Sequence, residues 1–104
     1  MIIREWRCRA RLSVAHAYPK HFETKVLPKL AQVPGCLGAT LSRRPLGELV
    51  EFLVLTRWTS MDAVRSFAGA DAEKSVVEPA ALEILSVYDL HVRHYEVLHD
   101  MSSE

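Results

Sequence analysis

Glu48-Leu49-Val50-Glu51-Phe52-Leu53-Val54-Leu55-Thr56-Arg57-Trp58 is the stretch on which the fold turns. Side chains on a strand alternate between faces, so Phe52, Val54 and Thr56 share one side while Leu53 and Leu55 share the other. Both faces are therefore apolar across the middle of the strand, and both need cover.

Working outward, a second strand-like run, Cys36 to Arg44, lies upstream, separated by Pro45-Leu46-Gly47, which has the turn chemistry of a hairpin. Downstream, Thr59-Ser60-Met61-Asp62 matches a capping box, with the Thr59 hydroxyl expected to accept from the third helical amide. Met61, Val64, Phe67 and Ala68 form the apolar stripe of the helix that follows, and Gly69 stops it.

Further upstream, Tyr18, Phe22, Val26, Leu30 and Val33 recur every three or four residues, opposite Lys20, Glu23, Lys25 and Lys29. That spacing predicts a helix with one buried stripe. Pro19 suits its first turn, Pro28 should bend it and Pro34-Gly35 ends it. From Ile2 to Leu12, Trp6, Cys8, Ala10 and Leu12 alternate with Glu5, Arg7, Arg9 and Arg11, the pattern of a half-buried strand. Pro79 opens another helical turn through Leu85, and Val87 to Leu98 reads as a closing strand.

The resulting order is that of an α+β, ferredoxin-like βαββαβ antiparallel sheet with helices on one face. A single domain over residues 1–104 is expected, because the length leaves no room for a second core. Helices cover only one face in this architecture. The apolar second face around Leu53 and Leu55 therefore predicts a homodimer through the sheet.

Composition excludes several classes. Hydrophobic residues make up 49% and charged residues 25%, a globular rather than disordered balance. Thirteen basic and thirteen acidic residues cancel, leaving no general field to attract nucleic acid or an anionic membrane. Met1 to Arg7 is broken by charges and lacks a signal-peptide apolar stretch, and no segment approaches transmembrane length, so a cytoplasmic address is expected. In such a compartment Cys8 and Cys36 read as small hydrophobes rather than a bridge.

Four stretches in this order resemble a known family: Val33-Pro34-Gly35; Glu51 to Trp58 running into Thr59-Ser60-Met61; Phe67-Ala68-Gly69; and Val92-Arg93-His94-Tyr95-Glu96-Val97. Together they are similar to the antibiotic-biosynthesis-monooxygenase-like (ABM) proteins, and in particular to a bacterial subgroup mostly without assigned reactions. The resemblance implies a dimeric α/β barrel. Among characterised members it implies cofactor-free oxidation of phenolic polyketides, haem degradation, or small isomerase and quinol-oxidase chemistry. In the monooxygenase branch it implies a pocket between sheet and helices, with an asparagine on the third strand and a nearby tryptophan. Trp58 matches that tryptophan and Val54 stands in the asparagine's place. Where the haem-degrading branch carries a helical histidine, this chain reads Arg65-Ser66-Phe67-Ala68, so haem degradation is not expected and neither is a cofactor.

Candidate site residues follow. His94 shares its face with Leu90 and Val92, which would turn a partly desolvated imidazole inward as a general base; the ordinary alternative is a core histidine hydrogen-bonded to a neighbour. His16, before the first helix, is the other candidate base, and Tyr18 could donate a hydrogen bond at the pocket mouth or merely cap the core. Trp58 would shape the pocket, and Trp6, Phe22 and Phe67 would hold an aromatic substrate; for Trp6 and Trp58 core or interface packing is the ordinary reading. His91 and His94, three apart on a strand, point to opposite faces and cannot share a metal ion. Arg4, Arg7, Arg9, Arg11, Arg43 and Arg44 read as a solvated face with acidic partners, because the sheet lacks the exposed aromatic motif of RNA-recognition domains.

These residues support a small cofactor-independent monooxygenase or oxidoreductase acting on a phenolic or quinol-type molecule. A non-catalytic dimer binding a small hydrophobic ligand is the alternative, favoured by the apolar Val54. A pure interaction module has no positive sign beyond the apolar sheet.

Overall fold

The computed structural model describes residues 1–101. Its sheet has strands β1 (Ile2–Arg11), β2 (Cys36–Leu46), β3 (Leu49–Trp58), β4 (Val87–Tyr88) and β5 (Arg93–Glu96). The spatial order is β2-β3-β1-β4, with β5 also on β1, and every pairing is antiparallel. This is the ferredoxin-like arrangement the element order predicts.

β1 and β3 lie in the middle, and their register sets the inner face. Arg4 pairs with Thr56, Trp6 with Val54 and Cys8 with Phe52, so these six side chains form one layer beneath the helices. The β2–β3 hairpin pairs Leu46 with Leu49, which makes the turn two residues, Gly47 and Glu48, with Gly47 at φ +60°. Pro45 is tolerated because β2 is an edge strand.

The first helix runs as three abutting segments, Ala17–His21, Phe22–Val26 and Leu27–Ala31, the middle one wound as a π-helix. Pro28 lacks the N–H that would bond the Thr24 carbonyl, and its ring crowds that carbonyl; a wider turn just before it relieves both. The expected bend at Pro28 is thus realised as a local change of winding.

The second helix, Met61–Ala68, starts one residue later than the capping pattern suggested. Ser60, not Thr59, is the cap, accepting from the Ala63 amide at 3.2 Å. Thr59 is held instead through its N–H, which donates to the Gly35 carbonyl at 2.9 Å. Gly69, at φ +89°, ends the helix as expected.

The closing segment departs most from the sequence reading. Instead of one strand from Val87 to Leu98, two short strands flank an irregular stretch, and Pro79–Glu83 is a 3-10 turn. Leu12, expected inward, lies beyond the end of β1 and is exposed. Cross-links hold the irregular part: Ser75 donates its amide to Leu90 O, Val92 to Glu73 O, and Lys74 bridges His91.

Two buried groups form the core, one around Trp6, Cys8, Tyr18, Phe22, Phe52 and Val54, the other around Leu30, Trp58, Val64 and Ala72. On the outer sheet face Leu53 and Leu55 are half-buried, and the Glu51 carboxylate takes Arg44 Nε at 2.8 Å and Arg9 Nε at 3.1 Å. The Arg44 bond, with help from Arg9, holds that carboxyl below the usual glutamate range. Among the described residues no helix is long and apolar enough to cross a membrane.

Candidate functional site

A cavity of about 380 Å³ separates the inner sheet face from the helices and the 76–81 segment. Its floor is Arg4, Trp6, Val54 and Thr56, because the alternation of β1 and β3 turns even-numbered residues inward, and Val92 of the closing segment also lines the space. Tyr18, His21, Phe22, Val26 and Leu30 form one wall, the buried stripe of the first helix, and Phe67 of the second helix closes another side. The volume suits a small organic molecule.

Four of the expected site residues meet there: Trp6, Tyr18, Phe22 and Phe67. Trp6 is anchored by its indole N–H, which donates to Asp89 O at 2.8 Å. Tyr18 presents its ring to the cavity. Burial raises the Tyr18 pKa above its ordinary value and pushes the buried Cys8 thiol up to about 12. Neither group is ionised near neutral pH.

The other three lie outside the cavity lining. Trp58 is fully buried behind it, 5.5 Å from the Phe67 ring, with its N–H donating to Thr56 Oγ1 at 2.7 Å. It fixes two lining residues without touching the space. His16 is exposed at the start of the first helix. His94 is half-buried behind Arg4, with Arg4 Nη1 3.0 Å from its Nε2. An arginine can only donate, so His94 accepts there and is neutral, with its proton on Nδ1. Burial is the main cause of a lowered His94 pKa, and the Arg4 charge adds to it.

Sequence reasoning missed two polar lining residues. His21, 7% exposed, is the one imidazole in the wall among the described residues. It sits between Tyr18 and Phe22 on the buried stripe, a position its spacing made available. Arg4, grouped in the sequence reading with the solvated arginines, is only 5% exposed. It shares parity with Trp6 and Cys8, so alternation turns it inward with them, unlike Arg7 and Arg9. Its Nη1 donates to Ala72 O at 2.6 Å, its Nη2 to Lys74 O at 3.1 Å, and its guanidinium lies 5.9 Å from the Phe67 centroid. Burial lowers its pKa to about 10, which still leaves it charged.

At the rim Lys29 pairs with Glu78. Among the described residues no group of three or more His, Cys, Asp or Glu side chains is disposed to hold a metal. Nor does the second helix offer iron an imidazole, since Phe67 fills that wall.

Solved structures share this architecture. The haem degrader MhuD from Mycobacterium tuberculosis, solved with two haems in its active site, superposes at TM-score 0.66 and 19% identity, covering 98% of this chain and 100% of that one. A Bacillus cereus protein assigned to the antibiotic biosynthesis monooxygenases gives TM-score 0.70 at 13% identity, with 98% and 97% covered. One from Deinococcus radiodurans gives 0.67 at 17%, with 100% and 99% covered. At such identities the likeness establishes the fold. Among curated proteins none matches the sequence closely enough to count as a relative. The family model for antibiotic biosynthesis monooxygenases matches residues 1–79, from β1 through the second helix to the cavity's far wall, and the chain belongs to that family.

Proposed function

We propose that the protein is a small cofactor-independent monooxygenase that takes a phenolic or quinol-type molecule into this cavity. The observation that carries the reading is the juxtaposition of three aromatic walls, Trp6, Phe22 and Phe67, with one buried imidazole, His21. Such a site desolvates an aromatic ring and sets a proton acceptor beside it.

In the reaction His21 takes the phenolic proton, and the electron-rich phenolate is oxidised by dioxygen. For a phenol going to a quinone, one oxygen atom enters the ring as the second carbonyl and the other leaves as water. Dioxygen is then the whole oxidant. His94 and His16, the bases suggested by sequence, are less well placed, one behind Arg4 and the other in solvent.

The test is oxygen uptake by the purified protein with a panel of hydroquinones, naphthols and anthrone-type phenols. Uptake lost in His21→Ala supports the reading; no uptake with any of them removes it. A second reading, a non-catalytic binder of small hydrophobic molecules, is favoured by Val54 on the floor. Saturable binding without turnover identifies it.

In either case we infer a homodimer formed through the outer sheet face, where Leu53 and Leu55 are half-buried and Leu37 and Tyr95 are exposed. Light scattering at the mass of a monomer would refute this.

A further inference from the structure

Arg4 places a full positive charge in the floor of a mostly apolar cavity, and no acidic side chain among the described residues pairs with it. No carboxylate oxygen among the described residues lies within 4.0 Å of its guanidinium; the arginines found in ion pairs are Arg7, Arg9, Arg44, Arg65 and Arg93. Its partners are two main-chain carbonyls and a neutral imidazole, which are dipoles. Three of its five N–H groups are accounted for by these bonds, leaving two that can donate to something in the cavity. The other charges of the wall, Lys29 and Glu78, cancel each other. Buried charges in proteins are as a rule paired.

We propose that the cavity binds an aromatic anion, a ring bearing a carboxylate, whose charged group sits on Arg4 while its ring lies against Trp6, Phe22 and Phe67. This rests on the reading of the cavity as a ligand site and narrows its substrate class. A tether for the 72–74 loop would need only the two carbonyl bonds. A neutral amide side chain could make those without burying a charge.

The matched pair 1-naphthoate and 1-naphthamide, nearly identical in shape and differing in charge, separates the possibilities. By titration calorimetry on the full chain at neutral pH, naphthoate is expected to bind at least tenfold more tightly than naphthamide. In Arg4→Met the two should bind alike, and Arg4→Lys should keep part of the preference. A wild-type preference below threefold overturns the proposal whatever the variants do, and so does a preference that survives in a folded Arg4→Met protein. Equal binding of both probes removes only the anion assignment and leaves the cavity a ligand site. If neither binds, both readings fall.

Discussion

The cavity is built by two unlike regions. Residues 1–68 supply the floor and two walls from regular elements: long central strands, a helix with an unbroken apolar stripe and a short capped helix. Residues 69–98 supply the remaining wall from a 3-10 turn, two strand fragments and loops. In the first region the backbone bonds run mainly along the β1–β3 and β2–β3 ladders and within the helices. In the second, cross-links do that work: the Arg4 guanidinium on the Ala72 and Lys74 carbonyls, and the amide bonds between the 73–75 and 90–92 stretches. One region is held by repetition, the other by particular side chains, and substitutions should separate them.

The largest effect belongs to the regular region. Trp58→Ala empties a fully buried site, strands the Thr56 hydroxyl and removes the ring behind Phe67. It should cost about 3–5 kcal/mol, seen as a lower urea midpoint for the whole domain. Next comes Gly35→Ala. Gly35 is at φ +88°, and a Cβ there would stand 2.5 Å from Ala63 Cβ and 2.8 Å from Thr59 Oγ1. Left-handed strain and overpacking combine to about 2–4 kcal/mol. Gly47→Ala, at φ +60° with nothing within 4 Å, carries only the strain, about 1–2 kcal/mol. A Gly35→Ala cost no larger than that of Gly47→Ala would mean that the junction between β2 and the second helix gives way easily.

The same division explains what the sequence made legible. Phe52 to Trp58 and Tyr18 to Leu30 carry periods of two and of three to four, so their strand, helix and inward faces could be read directly. Val87 to Leu98 also alternates in part, and that pattern alone predicts one strand. The chain leaves the ladder after Asp89, whose amide still bonds to Arg7 O, because Leu90, His91 and Val92 pair with the 73–75 loop, a tertiary preference that no local pattern records. Within the site, Trp6, Phe22 and Phe67 were found by type and spacing. Arg4 and His21 also fall on the buried faces, but residue type works against spacing there, since charged and titratable side chains are mostly solvated. Whether a polar residue on a core face is buried depends on partners, and Arg4's carbonyl partners lie 68 and 70 residues away.

If Arg4 is what fastens the irregular region, Arg4→Met should loosen that region selectively. Hydrogen exchange of the Ser75 and Val92 amides is expected to quicken by about tenfold, the loss of one or two hydrogen bonds' worth of local stability, while the β1–β3 ladder keeps its protection. Equal quickening in both would show that Arg4 supports the fold as a whole and would dissolve the contrast.

The smallest effect is a pH dependence at the same seam. His94 faces Arg4, with Arg65 and Glu73 also acting on it, and its pKa is lowered, first by burial and then by Arg4. The unfolded chain therefore takes up the proton more readily than the folded one. Above the ordinary histidine value of about 6.5 both states are neutral and His94 contributes no slope. As pH falls from there toward the lowered folded value, protonation favours the unfolded state, so stability declines with acidification. The wild-type Tm should drop between pH 6.5 and 5 by more than that of His94→Gln. In Arg4→Met the His94 slope should shrink without vanishing, because desolvation, the larger cause, remains when the neighbouring charge is gone. An unchanged slope in Arg4→Met would assign the shift to burial alone. A slope that disappears would instead make the guanidinium the dominant influence on His94.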